Sequence, residues 1–225
     1  MNLKNWCKFF AIYLCFSGIL IADLGFVIRQ VPTTKKLVAL TIDDGPSMKY
    51  TPQILEVLAQ KKATATFFLI AKNVETYPEL AQSITANNHS IGNHGYEHTH
   101  LQEFSHKKLL KSIAKSQVVF YEAVGFLPKY FRPPFGRLTD VQLNVFNYHF
   151  QHIVRWSIDP RDWDKKKSDR AIIKHVKKEL KPGSIIVLHE NKRLIKLLPK
   201  LIKAIKKKGY ECVSLDELLI DHSKR

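Results

Sequence analysis

The sequence predicts an α/β fold in which a parallel sheet of about seven strands closes like a barrel beneath an outer layer of helices. Two observations predict it. From Lys36 onward, short β-rich runs alternate with longer segments whose apolar residues recur at helical spacing. No linker rich in Pro, Gly or Ser breaks that alternation, so the 225 residues suit one folded domain with enough chain to bury a substantial core.

In chain order, Leu37–Ile42 reads as a strand and Thr51–Gln60 as a helix. Thr64–Ile70 and Pro78–Ala86 repeat the pair, and His89–Gly92 is a short strand before a long helix over Ser105–Val124. A brief extended run begins at Phe131, just ahead of Pro133-Pro134. Thr139–Tyr148 is helical, His152–Ile158 a strand, Ser168–Leu180 a helix and Ser184–Leu188 a strand. Lys192–Lys208 forms a basic helix and Tyr210–Val213 a last strand. Leu194, Leu197, Leu198, Leu201 and Ile205 share one face of that basic helix, so its lysines face outward.

The chain opens differently. Lys4 and Lys8 precede Phe9–Ile28, an almost wholly apolar run interrupted by Asp23. This is the pattern of an export segment. Leu20-Ile21-Ala22 is a poor cleavage site, and the run is about as long as a bilayer requires, so an uncleaved anchor is preferred to a removed signal. Residues 1–30 are therefore assigned to a signal peptide or membrane anchor and 31–225 to a catalytic domain outside the cytoplasm.

With 45% hydrophobic and 25% charged residues, the composition excludes a disordered tail, a collagen-like repeat and a multi-span membrane protein. Cys7, Cys15 and Cys212 make no disulfide framework. A net charge of +16 calls for an anionic partner, such as wall polymer or a membrane surface. Nucleic acid has the charge it needs but no recognisable binding motif, and none is expected as a partner. A monomer is expected.

In parallel α/β folds the reactive groups stand at the C-terminal ends of the strands. Titratable residues gather at those places: Asp43-Asp44 after the first strand, His94 and His98 after the third, Arg132 after Phe131, Asp159 and Asp162 after Ile158, and His189 after Leu188. Asp-Gly-Pro at 44–46 also fits plain turn chemistry. His94-Gly-Tyr-Glu-His98 places two imidazoles four residues apart, able to face one cation. One Asp added leaves positions open for water, the mark of a catalytic metal site. Zn²⁺ is the first choice, and Co²⁺, Mn²⁺ and Ni²⁺ accept the same donors. His89 and His100 read as structural. Arg132-Pro-Pro-Phe-Gly136 is a rigid segment whose guanidinium can hold a carboxylate in a bidentate pair, and whose next free N–H belongs to Phe135. His189, near Asp159 or Asp162, can be held protonated as a general acid.

Thr41-Ile-Asp-Asp-Gly45, His94-x-x-x-His98, Arg132-Pro-Pro-Phe-Gly136, Asp159-Pro-Arg-Asp-Trp163 and Val187-Leu-His189, in this order, resemble the polysaccharide deacetylases, the nodulation-type deacetylase domains of carbohydrate esterase family 4. The resemblance covers about residues 36–215. It implies a distorted (β/α) barrel and removal of N-acetyl groups from a GlcNAc-type polymer, peptidoglycan above all. By motif match Asp43 is the general base, tethered by Arg132, and Asp44, His94 and His98 are the metal ligands. His189 is the general acid, oriented by Asp162. The Phe135 backbone N–H would join the metal in stabilising the oxyanion, and Trp163 would wall the acetyl group. Three residues depart from the family pattern: Ile42 for Phe, Gly95 for Ser or Thr, and Phe135 for Tyr. Gly95 removes a hydroxyl that braces the metal loop. A catalytically silent glycan-binding module and an O-acetyl esterase, such as a xylan esterase, are the alternatives on the same scaffold.

Overall fold

The computed structural model describes residues 26–223. Eight strands form one sheet: β1 (Val27–Ile28), β2 (Leu37–Asp43), β3 (Thr66–Leu69), β4 (Ser90–Asn93), β5 (Tyr130–Phe131), β6 (His152–Val154), β7 (Ile185–His189) and β8 (Glu211–Val213). The strand order is β1-β6-β5-β4-β3-β2-β7, with β8 paired to the N-terminal half of β2, and every ladder is parallel. Isolated bridges join β7 and its approach to the far side of the sheet, Gln30 just past β1 to Ser184 and Ile158 past β6 to Ile186. The result is a curled, distorted barrel, as expected. At this seam the Val31 N–H donates to the Gly183 carbonyl at 3.0 Å. A Cβ on Gly183 would lie 1.7 Å from the Val31 oxygen, so only glycine lets the edges approach.

Around the sheet run α1 (Thr51–Gln60), α2 (Ala71–Thr76), α3 (Pro78–Ala86), α4 (His106–Val124), α5 (Asp140–Asn147), α6 (Asp169–Glu179), α7 (Lys192–Lys207) and α8 (Leu215–Ser223). Strand alternation divides the core. Val38, Leu40 and Ile42 point outward, packing with Leu198, Leu201 and Ile202 of α7 and with Ile54 and Leu58 of α1. Ala39 lies in the inner cluster with Phe68, Ile185 and Val154, and by the same alternation Thr41 and Asp43 share its face. Small side chains at 39 and 41 leave room inside for a guanidinium.

Three departures from the sequence reading have physical causes. β6 stops at Val154 instead of running to Ile158, because the next carbonyls are taken by Arg132: its Nε donates to Val154 O and its Nη2 to Arg155 O, each at 3.2 Å. α8 extends the chain past the last strand read from the sequence and places Leu215 and Leu218 in the inner cluster. Its start is a reciprocal pair, Ser214 N–H to Glu217 Oε2 at 2.8 Å and Glu217 N–H to Ser214 Oγ at 3.3 Å, a capping box written in the sequence as Ser-x-x-Glu. Finally, Val27 and Ile28, the end of the apolar run Phe9–Ile28, belong to the sheet: they pair with Ile153 and Val154, and Ile28 and Val31 are buried. The rest of the run lies outside the described residues. Among those described, no helix is long and apolar enough to cross a membrane.

Candidate active site

Register brings the reactive groups together. Asp43, the last residue of β2, pairs with His189, the last of β7. Asn93 pairs with Phe131, which sets His94 beside Arg132 at the tips of β4 and β5. Residues far apart in sequence thus meet at one end of the barrel.

Arg132 is fully buried, and Nη1 donates to Asp43 Oδ1 at 2.7 Å and to Thr41 Oγ1 at 2.7 Å. Its other donors go to the carbonyls of Val154 and Arg155, and its Cζ lies 4.0 Å from the Phe68 ring centroid. The bidentate pair expected from sequence is therefore a single-point contact, because the guanidinium fork is spread across the barrel interior. The contact fixes the orientation of the Asp43 carboxylate and leaves Oδ2 turned away from the guanidinium.

Asp44 sits in the left-handed region at φ 80°, a conformation that costs a non-glycine residue about 1 kcal/mol or more. The bend turns its Oδ1 toward His94 Nε2 and His98 Nε2, 3.6 Å from each. One ligand atom from each of Asp44, His94 and His98 lies within 4.8 Å of the others. The Asp44 Oδ1 is buried and has no hydrogen-bond donor among the described residues, a costly arrangement unless a cation completes it. His94 Nδ1 lies 2.7 Å from the Arg132 carbonyl, which can only accept, so Nδ1 carries the proton and Nε2 is left as a lone pair. Burial outweighs the pull of Asp43 and Asp44 and lowers the pKa of His94, keeping it neutral. These three residues fit a divalent metal of the kind that takes N and O donors.

His189 is held through two contacts with one carboxylate: Nδ1 to Asp162 Oδ1 at 2.8 Å and its backbone N–H to Asp162 Oδ2 at 2.9 Å. Burial opposes the charged ring, but the Asp162 hydrogen bond and the charges of Asp43, Asp162 and Asp44 outweigh it, lifting the pKa to about 9. With Nδ1 committed to Asp162, the proton available to a substrate is on Nε2. Asp159, the other candidate partner, instead accepts the Arg161 N–H at 2.8 Å.

Asp43, Asp44, His94, His98, Phe135, Trp163 and His189 line one cavity of about 570 Å³, with Arg132 and Asp162 buried beneath it. Phe135, at φ 57°, stacks on His100 at 4.0 Å and meets His98 edge-on at 4.4 Å. His100 is thus part of the cavity wall, where the sequence reading made it structural. His89 is structural as expected: buried against Phe67, it accepts the Ala65 N–H at 3.3 Å, and burial drops its pKa to about 4. Gly95 lies at φ 87° with its N–H on Asn93 Oδ1 at 2.7 Å, so a backbone contact braces the loop carrying His94 and His98 where the family pattern has a hydroxyl.

Two supporting residues escaped the sequence reading. Arg193 donates Nη1 to the carbonyls of Asp162 and Asp164 at 3.1 and 2.9 Å, Nη2 to Lys167 O, and Nε to Asp169 at 2.9 Å. It clamps the loop that carries Asp162 and Trp163 to the start of α7. Glu190 accepts from Ser47 Oγ at 2.7 Å and from Thr51 Oγ1 at 2.9 Å, and its N–H donates to Asp43 O at 2.9 Å, tying the Asp43-Asp44 loop to α1. A charged residue so close to His189 was the available signal for each.

The sequence model for polysaccharide deacetylases matches residues 30–150. The chain belongs to that family. A peptidoglycan-N-acetylglucosamine deacetylase of Bacillus cereus is 37% identical over 201 residues, 87% of this chain and 93% of the relative. A peptidoglycan-N-acetylmuramic acid deacetylase of Bacillus subtilis is 31% identical, covering 84% of this chain and 40% of the relative. Among solved structures, a peptidoglycan N-acetylglucosamine deacetylase bound to an N-hydroxybenzamide superposes with TM-score 0.79 at 35% identity, over 84% of this chain and 91% of that one. A mutant of a Bacillus anthracis CE4 family pseudoenzyme, with restored activity, superposes at 0.81 and 29% identity over 88% and 73%. This deacetylase fold therefore houses both active and silent centres, and the residues at the site decide between them.

Proposed function

We propose that this polysaccharide deacetylase is a metal-dependent hydrolase that removes N-acetyl groups from GlcNAc residues of peptidoglycan outside the cytoplasm. The observation that carries the reading is the complete set around one cavity: a buried, charge-compensated Asp43, the Asp44–His94–His98 triad and the Asp162-bound His189. A silent binding module has no need of a buried carboxylate oxygen left without a donor. The names of the similar proteins support the polymer.

Asp44, His94 and His98 would hold a divalent cation, Zn²⁺ first, which would supply Lewis acidity toward the amide carbonyl and toward water. Asp43 Oδ2, the oxygen not bound by Arg132, accepts a proton from the attacking water as the new C–O bond forms. The Phe135 N–H faces the resulting oxyanion, and Trp163 flanks the acetyl methyl. His189 Nε2 then gives its proton to the sugar nitrogen as the C–N bond breaks, yielding acetate and a free amine. Asp162 holds the Nδ1 proton throughout.

Purified protein is expected to release acetate from peptidoglycan and from chitin oligosaccharides, to lose that activity to a chelator and to regain it with Zn²⁺ or Co²⁺. Acetylated xylan serves as the O-ester control, since a xylanase-associated CE4 domain shares the fold at TM-score 0.74 and 26% identity. A metal-loaded protein that liberates acetate from none of these, or from xylan alone, would refute the proposal.

A further inference from the structure

The catalytic cavity is one half of a longer depression. Asp44, Trp163 and His189 also line a second cavity of about 720 Å³ on the side of α7. Both volumes fall within the range of ligand-binding clefts. The two halves differ in chemistry. The first is walled by Phe135, Trp156 and the histidines, while Lys165, Lys192 and Lys196 stand around the second with Tyr50, beside Arg193 and the carboxylates of Asp162 and Glu190, which are held by His189, Ser47 and Thr51. These three lysines are exposed and form no ion pair with any described residue.

Their charge is part of a marked asymmetry. Residues 164–209 hold 16 Lys and Arg against four Asp and Glu, a net +12 of the chain's +16. The four acids are already subtracted in that figure, and each is engaged locally. Asp169 is paired with Arg193, Glu179 lies 3.8 Å from Lys178, Glu190 is engaged by Ser47 and Thr51, and Asp164 Oδ1 accepts the Lys166 N–H. On α7, Lys192 and Lys196 stand one turn apart at the cavity, and Lys200 and Lys203 continue the exposed stripe away from it.

We propose that the lysine-lined half is a subsite for carboxylates carried by the polymer on residues next to the sugar being deacetylated, so that the enzyme prefers an acidic glycan to a neutral one. The inference rests on the activity proposed above and deepens it. A flat lipid headgroup layer is disfavoured, because the lysines nearest the site line a concavity continuous with it. In that concavity the Lys165, Lys192 and Lys196 ammonium groups meet a charged substituent at the moment the neighbouring N-acetyl group reaches His189. Opposite charges at such a cleft also speed encounter and weaken with salt. The carboxylate can come from a lactyl ether on alternate sugars or from a short peptide attached to it.

The test uses the full chain and four oligomers of matched length: a neutral chitin oligosaccharide, a lactyl-bearing glycan without peptide, the same glycan with its peptide, and the peptide-bearing form with carboxylates amidated. Calorimetry on the metal-free protein is expected to show about tenfold tighter binding of the acidic oligomers than of the amidated one. That gap should close in Lys165→Gln/Lys192→Gln/Lys196→Gln and in high salt. In acetate release, the triple substitution should raise KM for the acidic oligomers with kcat held. Lactyl and peptide arms separate the two sources of charge. Equal affinity for acidic and amidated oligomers, or a triple variant that keeps the preference while losing affinity for phosphatidylglycerol vesicles, overturns the subsite. Absence of acetate from every oligomer with the binding gap intact would instead refute the catalytic reading alone.

Discussion

The two flanks of the active centre solve one problem in different ways. On one flank Asp43 is fixed by Arg132 inside the barrel, both on strand tips and both buried. On the other, His189 is fixed by Asp162 from a loop, and that loop is in turn gripped by Arg193 at the start of α7. The first flank is part of the core, so its charges are bound up with folding. The second hangs on a loop outside the sheet, and its charges carry the proton donation proposed above. A buried ion pair that loses one partner strands the other without solvent, whereas a loop contact that is lost leaves the sheet intact.

The largest expected effect follows from that contrast. Arg132→Met strands the Asp43 carboxylate and should destabilise the protein by about 3–5 kcal/mol as well as abolish activity. Asp162→Asn, which keeps shape and most contacts, should leave most of the stability and reduce kcat about 10²-fold or more. Thermal melts of the two variants check this. Equal losses of stability would erase the distinction.

The acid flank can be sharpened by pH. In metal-free protein, NMR titration should find His189 near 9 and lower in Asp162→Asn. Because the folded pKa is raised, the stabilisation it brings is fully present below the unfolded value of about 6.5 and fades as pH rises through about 9. The difference in melting temperature between wild type and Asp162→Asn should therefore be widest in mild acid and shrink towards pH 9. A bound dication beside Asp44 opposes the imidazolium charge, so the alkaline limb of activity in the loaded enzyme should fall below that of the titration.

Arg193→Gln loosens the loop without touching a reacting group. It should lower kcat about tenfold, with metal content unchanged by elemental analysis. Phe135→Tyr should change least, within about 0.5 kcal/mol in kcat/KM. Its ring stacks on His100 at the exposed edge of the cavity, and the role proposed for this residue belongs to its backbone.

Much of this was legible in order and spacing. Asp43, His94, Arg132 and His189 each follow an apolar run, and a parallel sheet sends all such positions to one end. The amphipathic α7 was equally plain, with Leu194, Leu197, Leu198 and Leu201 buried and its lysines outside. Other features were not. β6 looked like seven residues because Arg155–Ile158 has strand composition, but the Arg132 guanidinium, just past β5, takes the carbonyls of Val154 and Arg155. His100 looked like a bystander because the ring it stacks on is 35 residues away. Arg193 read as one cation among many until the loop it holds was in place.

By itself, the sequence determined most of the elements and their alternation, and it nominated the groups proposed above as reactive, since periodicity and strand-end placement are local properties of the chain. Only the tertiary structure decided how those groups are wired. Which oxygen of Asp43 is free, which nitrogen of His94 carries the proton, and which carboxylate holds His189 depend on contacts between residues 27 to 89 positions apart. The end of the apolar N-terminal run was decided there too, when Val27 and Ile28 found an unpaired edge on β6. Hydrogen-bond satisfaction in a buried interior is a property of the assembled barrel, and no stretch of sequence carries it alone.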